Sequence, residues 1–305
     1  GEVFPFGIRL IFVFIFAFIF ISGCSKGVEP GFKNPREYEW EVIRSNWGYF
    51  KAIWGSSASD VYAVGSVVEI EASMYHFDGR RWEPVRSFLD VFKYVPLRDI
   101  YGFGSDDIFV VGDKKVIHFN GKFWVDKTPD TGASFLSVWG SRSDDVWVVD
   151  YNGLYHYDGS KWEKDTTIGS GYYFNFYSNL AGVDSDEVYL FGSREKFGIP
   201  NILFKFDGKR WSVVDSSIHA YKIRVIDKTL YAVGWGVWVF KDGKWLERLY
   251  GCGFLYDIWG TDKSNIWVVG LSAIYHYNGR DWVRFDPLDF GLEGVWEFTC
   301  VWGTK

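Results

Sequence analysis

The sequence predicts an all-β chain folded as a β-propeller of four-stranded blades, and three observations carry that prediction. First, a unit recurs: Trp-Gly, an Asp-Val-like pair, a Gly, then an (Asp/Asn)-Gly turn followed by Trp, with Trp82, Trp124, Trp162, Trp211, Trp245 and Trp282 spaced 34 to 49 residues apart. A period of that size marks one supersecondary unit copied around an axis or along a stack. Second, each unit holds short runs of β-branched and aromatic residues broken by turn residues at strand-length intervals, as in Val146 to Val149 and Leu154 to Tyr157. Third, aromatic residues make up 21% of the chain, with 17 Trp, and large flat side chains suit the space between packed, twisted sheets.

The chain opens on Arg9 followed by an uninterrupted apolar run of 12 residues, Leu10 to Ile21. That is too short to span a bilayer comfortably and matches the apolar region of a signal peptide. Its end, Ile21-Ser22-Gly23-Cys24, resembles a bacterial lipobox. The resemblance implies that residues 1–23 are a lipoprotein signal peptide and that Cys24 becomes the lipidated N-terminus, placing the protein on the membrane through that lipid. It also implies export to the cell envelope, and to the outer membrane in a Gram-negative host, because Ser25 rather than Asp follows the Cys. A short uncleaved anchor with an ordinary Cys is the other reading. A polar stretch completes the segment 24–36, and the propeller is expected over residues 37–305.

Within a unit the strands are a (Trp-Gly), b (Asp-Val), c (before Asp-Gly) and d (carrying the last Trp). The first copy reads Trp54-Gly55, Asp60-Val61, Gly65, Asp78-Gly79 and Trp82, and the second Tyr101-Gly102, Asp107-Ile108, Gly112, Asn120-Gly121 and Trp124. The third places Asp150 where Gly is expected, between Asp145-Val146 and Asp158-Gly159. The fourth keeps Ala181-Gly182, Glu187-Val188, Gly192, Asp207-Gly208 and Trp211. The fifth has lost its Trp-Gly but retains Leu230, Gly234, Asp242-Gly243 and Trp245. The sixth recovers Trp259-Gly260, Asn265-Ile266, Gly270, Asn278-Gly279 and Trp282. Adjacent Asp-Gly or Asn-Gly between two such runs favours a tight hairpin, since both residues tolerate positive φ.

Six complete blades are therefore expected, flanked by two orphans. Glu37 to Val42 matches a strand d, and Cys300-Val301-Trp302-Gly303 matches a strand a. Together they predict a partial seventh blade, with the N-terminal strand closing the ring, and a chain truncated by about 20 or more residues relative to the Trp139 to Asp158 interval. A six-bladed ring with two surplus strands is the competing reading. Cys252 and Cys300 lie ahead of successive Trp-Gly positions; a disulfide between neighbouring blades and two buried small hydrophobes are both compatible with that placement.

The d-to-a and b-to-c connections vary most, from Glu83–Arg98 and Glu163–Asn179 down to Trp235-Gly236. In a propeller they emerge together at the mouth of the central channel, and variable loops on a rigid scaffold are where binding resides. Aromatic residues there, Trp47, Tyr49, Tyr172, Tyr173, Phe174, Tyr177 and Trp296, are candidate ligand-binding platforms for sugar rings or peptide side chains, with channel plugging or inter-blade packing as the alternative.

No catalytic residue, metal site or cofactor is predicted. His76, His118, His156 and His276 share one repeat position, two residues before Asp/Asn-Gly. Equivalent positions are separated by whole blades and do not converge on a metal; hydrogen bonding within the blade explains them. No dense Asp run of the calcium-loop kind occurs, nor a phosphate loop. A net charge of −6 speaks against a nucleic-acid partner.

The repeated Trp-Gly, Asp-Val-Trp-x-Val-Gly and Asp-Gly-x-x-Trp pattern resembles that of a widespread group of bacterial lipoprotein propellers, over residues 37–305. It is more distantly similar to Asp-box propellers, which carry a residue between Asp and Gly where Asp158 and Gly159 are adjacent. No sialidase site residues can be carried over. The expected function is a non-catalytic, lipid-anchored envelope protein whose loops at the channel mouth bind a protein or glycan. The alternative is an envelope polysaccharide hydrolase or lyase using acids such as Asp90 or Asp184.

Overall fold

A computed structural model describes residues 48–67, 72–93 and 95–304. Cys24, Trp47, the apolar leader and the expected strand at residues 37–42 lie outside the described residues. The described chain forms six antiparallel four-stranded sheets. Blade 1 comprises β1 (Gly48–Ser57), β2 (Asp60–Val67), β3 (Met74–Phe77) and β4 (Trp82–Pro84). After a short helix, α1 (Arg86–Phe92), blade 2 follows as β5 (Leu97–Gly104), β6 (Asp107–Gly112), β7 (Lys115–Phe119) and β8 (Trp124–Asp126). Blade 3 is β9 (Phe135–Arg142), β10 (Asp145–Asp150), β11 (Gly153–Tyr157) and β12 (Trp162–Lys164), and blade 4 is β13 (Leu180–Asp184), β14 (Glu187–Gly192), β15 (Ile202–Phe206) and β16 (Trp211–Asp215). Blade 5 is β17 (Ala220–Ile226), β18 (Thr229–Gly234), β19 (Gly236–Lys241) and β20 (Lys244–Tyr250). Blade 6 is β21 (Leu255–Asp262), β22 (Asn265–Gly270), β23 (Ala273–Tyr277) and β24 (Trp282–Phe285). Among the described residues no helix is long and apolar enough to cross a membrane.

The repeated residues are explained by local geometry. In the turn of blade 1, Asp78 Oδ1 accepts the backbone N–H groups of Arg80 and Arg81 at 2.9 Å, while Gly79 sits at φ 88°. An Asx turn followed by a left-handed residue is the conformation that Asp-Gly encodes. The glycine of Trp-Gly serves packing between blades instead. A Cβ on Gly102 would lie 2.5 Å from Trp54, one on Gly182 would lie 2.4 Å from Trp139, and one on Gly303 would lie 2.9 Å from Trp259. From blade 1 to blade 4 an aromatic ring of one strand a thus lies over the glycine of the next, whereas the Gly260 of blade 6 is met by Ile226 instead.

The core is a ring of inter-blade clusters. Five lie between consecutive blades, such as Leu136, Trp139, Trp147, Leu180, Val188 and Trp211 between blades 3 and 4. Two more flank the C-terminal segment. Trp267, Ile274, Phe298 and Val301 pack together on the blade 6 side, and Cys300 and Trp302 pack against Phe50, Ile53 and Val61 on the blade 1 side. Residues 300–303 form no strand ladder among the described residues.

The repeated histidines fasten strand c to strand b within a blade. Nε2 of His76, His118 and His156 lies 2.7, 2.7 and 2.6 Å from Oδ1 of Asp60, Asp107 and Asp145, and each ring stacks on Tyr62, Phe109 or Trp147. In blade 6 the acceptor is Asn265, 2.8 Å from His276. Cys252 and Cys300 are free thiols, and burial pushes them up to about 11 and about 12, so both stay protonated at neutral pH.

Candidate functional site

Every strand a starts at the face where the d-to-a and b-to-c connections emerge, so residues at one register on successive strands form a ring around the channel. The residues four before the motif glycine are Lys51, Arg98, Leu136, Ser178, Tyr221, Tyr256 and Thr299, taking Val225 as the glycine equivalent of blade 5 because it pairs with Leu230 as Gly55 pairs with Val61. All seven line one open cavity of about 640 Å³ at the channel mouth. Cations come from blades 1 and 2, tyrosines from blades 5 and 6.

One register deeper lies a polar belt. Asp99 Oδ2 accepts the Ser137 hydroxyl at 2.6 Å and the Val138 N–H at 3.1 Å, and Oδ1 accepts the Ile100 N–H. Asn179 forms a two-way clamp on the backbone of Ile223, at 3.1 and 2.9 Å. Asp257 accepts the N–H groups of Ile258 and Val301, both at 2.9 Å, and an N–H of Arg224 at 3.3 Å. Thr299 donates to the carbonyl of Phe50 at 2.9 Å. Lys222 reaches across from blade 5 to within 3.9 Å of Asp99. Both residues line the mouth cavity and a deeper one of about 200 Å³, so this pair marks the constriction between them.

The wall is aromatic. The Arg98 guanidinium lies 4.6 Å from the centroid of Phe176, whose ring meets Tyr151 edge-on at 5.8 Å. This stack joins blade 2, the b-to-c turn of blade 3 and the long connection into blade 4. Opposite it, Tyr177 and Tyr221 are 4.8 Å apart, Tyr221 lies 6.3 Å from Tyr256, and Trp235 packs on Phe254 at 4.2 Å. Burial pushes the phenols of Tyr221 and Tyr256 above their ordinary value, with neighbouring Tyr177 adding to it. They are hydrogen-bond donors at neutral pH.

Of the aromatic residues singled out from sequence, Tyr177 lines the mouth cavity, Phe174 is buried between blades 3 and 4, and the other described ones sit elsewhere. Tyr49 is exposed at the start of β1, and Tyr173 is exposed while its backbone bridges Ser193. Tyr172 packs edge-on against Phe204 at 4.9 Å and lies under Arg194. Trp296 is 6% exposed, within the blade 6 core, and donates through Nε1 to the Glu293 carbonyl. None of these four lines the mouth cavity. Asp90 is exposed on α1 and Asp184 is exposed at the end of β13, outside both cavities. Lys51, Arg98, Tyr221 and Tyr256 were the residues missed. The signal that finds them is the register itself: each lies four residues before the motif glycine or its equivalent.

The sequence matches no protein-family model and no curated protein. Several solved structures share the fold. YCF48 bound to D1 peptide aligns with a TM-score of 0.59 at 15% identity, covering 78% of this chain and 82% of that one. Virginiamycin B lyase from Staphylococcus aureus aligns with a TM-score of 0.61 at 11% identity over 79% and 85% of the two chains. The extracellular domain of a putative one-component system from B. thetaiotaomicron aligns with a TM-score of 0.58 at 11% identity, covering 78% of this chain and 35% of that one.

Proposed function

We propose that this chain is a non-catalytic binding propeller, held at the bacterial envelope by a lipid on Cys24, that engages a protein partner at the channel mouth; a glycan is the second ligand class. The observation that carries this reading is the mouth ring, where unlike side chains occupy one repeated register above a belt of engaged polar groups. A scaffold position that varies from blade to blade around an open cavity is suited to recognition. Two fold neighbours accord with it: one is described bound to a peptide and another is an extracellular domain.

The enzyme reading has less support. A variant of the lyase neighbour described as catalytically inactive replaces a histidine with alanine, whereas no histidine lines either cavity here. Of the four acids that line the two cavities, Asp99 and Asp257 are bonded to backbone N–H groups and Asp113 to the Ser134 hydroxyl, which leaves Glu297. A general acid or base needs a proton path to substrate.

We further propose that residues 37–42 and 300–303 are strands d and a of a seventh blade. Trp302 lies over Gly55 as Trp54 lies over Gly102, and Trp259 lies over Gly303. Metabolic labelling with a fatty acid tests the anchor, with Cys24→Ser expected to abolish label. Screening the full chain against peptide and glycan arrays tests the binding reading. Turnover of an envelope polysaccharide without retention of any ligand would overturn it.

A further inference from the structure

We propose that the mouth anchors an acidic peptide segment, its carboxylate held by Lys51 and Arg98 on one side of the ring and by the phenols of Tyr221 and Tyr256 on the other. This inference rests on the binding reading above and names its ligand chemistry. Lys51 and Arg98 occupy the same register on adjacent blades, and neither has a carboxylate partner among the described residues. Both cations line the cavity, where Asp113 already accepts the Ser134 hydroxyl, so an incoming anion is attracted to that side of the ring.

Arg98 is also pre-positioned. Its guanidinium lies 4.6 Å from the centroid of Phe176, with Tyr151 on the other side of that ring, and this contact leaves its N–H groups for a planar acceptor. Lys222 adds a third positive charge at the floor, beside an Asp99 whose oxygens already accept three other donors. The tyrosines contribute neutral O–H donors. Glu297 borders the cavity next to Tyr256, so a second acid on that side of the ligand is disfavoured.

The remaining wall argues for a peptide over a sugar acid. Leu136 and Phe176 line the cavity with the charged groups. They accept an apolar side chain beside the carboxylate, which a peptide supplies and a hydroxyl-covered uronic acid ring does not.

The test screens the full chain against short random peptides, with free and amidated C-termini, and against oligogalacturonate. Retained peptides are expected to carry Asp, Glu or a free C-terminal carboxyl. Neutralising that group, or substituting Lys51→Ala with Arg98→Ala, is expected to weaken binding at least about tenfold with an unchanged melting temperature. Raising the salt concentration weakens the same complexes. If neutral peptides bind equally well and only Tyr221→Ala or Tyr256→Ala weakens them, the acidic anchor is wrong while the mouth remains the site. Oligogalacturonate retained without any peptide overturns the peptide assignment. Peptide binding that no mouth substitution alters, or no binding of either probe, overturns both readings.

Discussion

Replacing Gly102 with Ala tests whether the ring-over-glycine contact sets the spacing of the blades. The added Cβ would lie 2.5, 2.6 and 2.9 Å from Cη2, Cζ2 and Cζ3 of Trp54, while ordinary contact begins about 1 Å farther out. The indole belongs to the cluster joining blades 1 and 2, so it can retreat only by displacing its neighbours. Overpacking of that kind costs about 1–3 kcal/mol. Gly102 is not among the glycines with positive φ, so Ala accepts its backbone conformation and recovers about 0.4–1 kcal/mol through the unfolded state. The net expectation is a loss of about 1–2 kcal/mol, or a drop in Tm of about 2–8 °C for a domain of this size. Thermal unfolding followed by circular dichroism reads it. Gly169→Ala is the control, because nothing lies within 4 Å of its Cβ and its φ is unrestricted; it is expected to be neutral or slightly stabilising. Trp54→Phe combined with Gly102→Ala is expected to cost less than the two singly. Equal stability of the Gly102 and Gly169 variants would refute the packing argument.

Three further outcomes follow from the same geometry. Burial raises the Asp60 and Asp145 carboxyls, but hydrogen bonds from His76 with Ser56, and from His156 with Ser141, outweigh it and leave both below the usual range. Their contribution is therefore present above the unfolded carboxylate value of about 4 and is lost as pH falls through the lower folded value. Asp145→Asn should flatten the acid limb of a stability–pH curve and leave the limb above neutrality unchanged. Asp99→Ala strands the Val138 N–H and the Ser137 hydroxyl in a buried site, so a loss of about 2–4 kcal/mol is expected by urea unfolding. An unchanged midpoint would show that the polar belt does not hold blades 2 and 3 together. Cys252 and Cys300 are unpaired, so reduction should leave the Tm of the chain from residue 25 onward unaltered; a fall on adding dithiothreitol would reveal a disulfide.

The blades were legible because their signals are local. Asp78-Gly79 encodes an Asx turn and a left-handed residue within four positions, and the β-branched and aromatic run Val146 to Val149 marks a strand buried on both faces. Local physics also explains the shared histidine position, since His156 needs only Asp145 from the adjoining strand. The candidate site was not legible in the same way. Trp296 and Tyr172 read as exposed loop aromatics, yet Trp296 is buried in the blade 6 core and Tyr172 packs against Phe204. A loop aromatic is driven inward wherever apolar surface lies within reach, and that depends on neighbouring blades.

By itself the sequence determined the blade, its turns, its core stripe and the number of complete copies, because each depends on contacts inside one repeat or with the next. Only closure of the ring decided which side chains meet at the axis. Lys51 and Tyr256 are 205 positions apart and share a cavity because strand a of each blade enters the channel at the same register. The rotation from blade to blade brings equivalent positions together, and from blade 1 to blade 4 aromatic rings of one strand a lie on the glycine of the next.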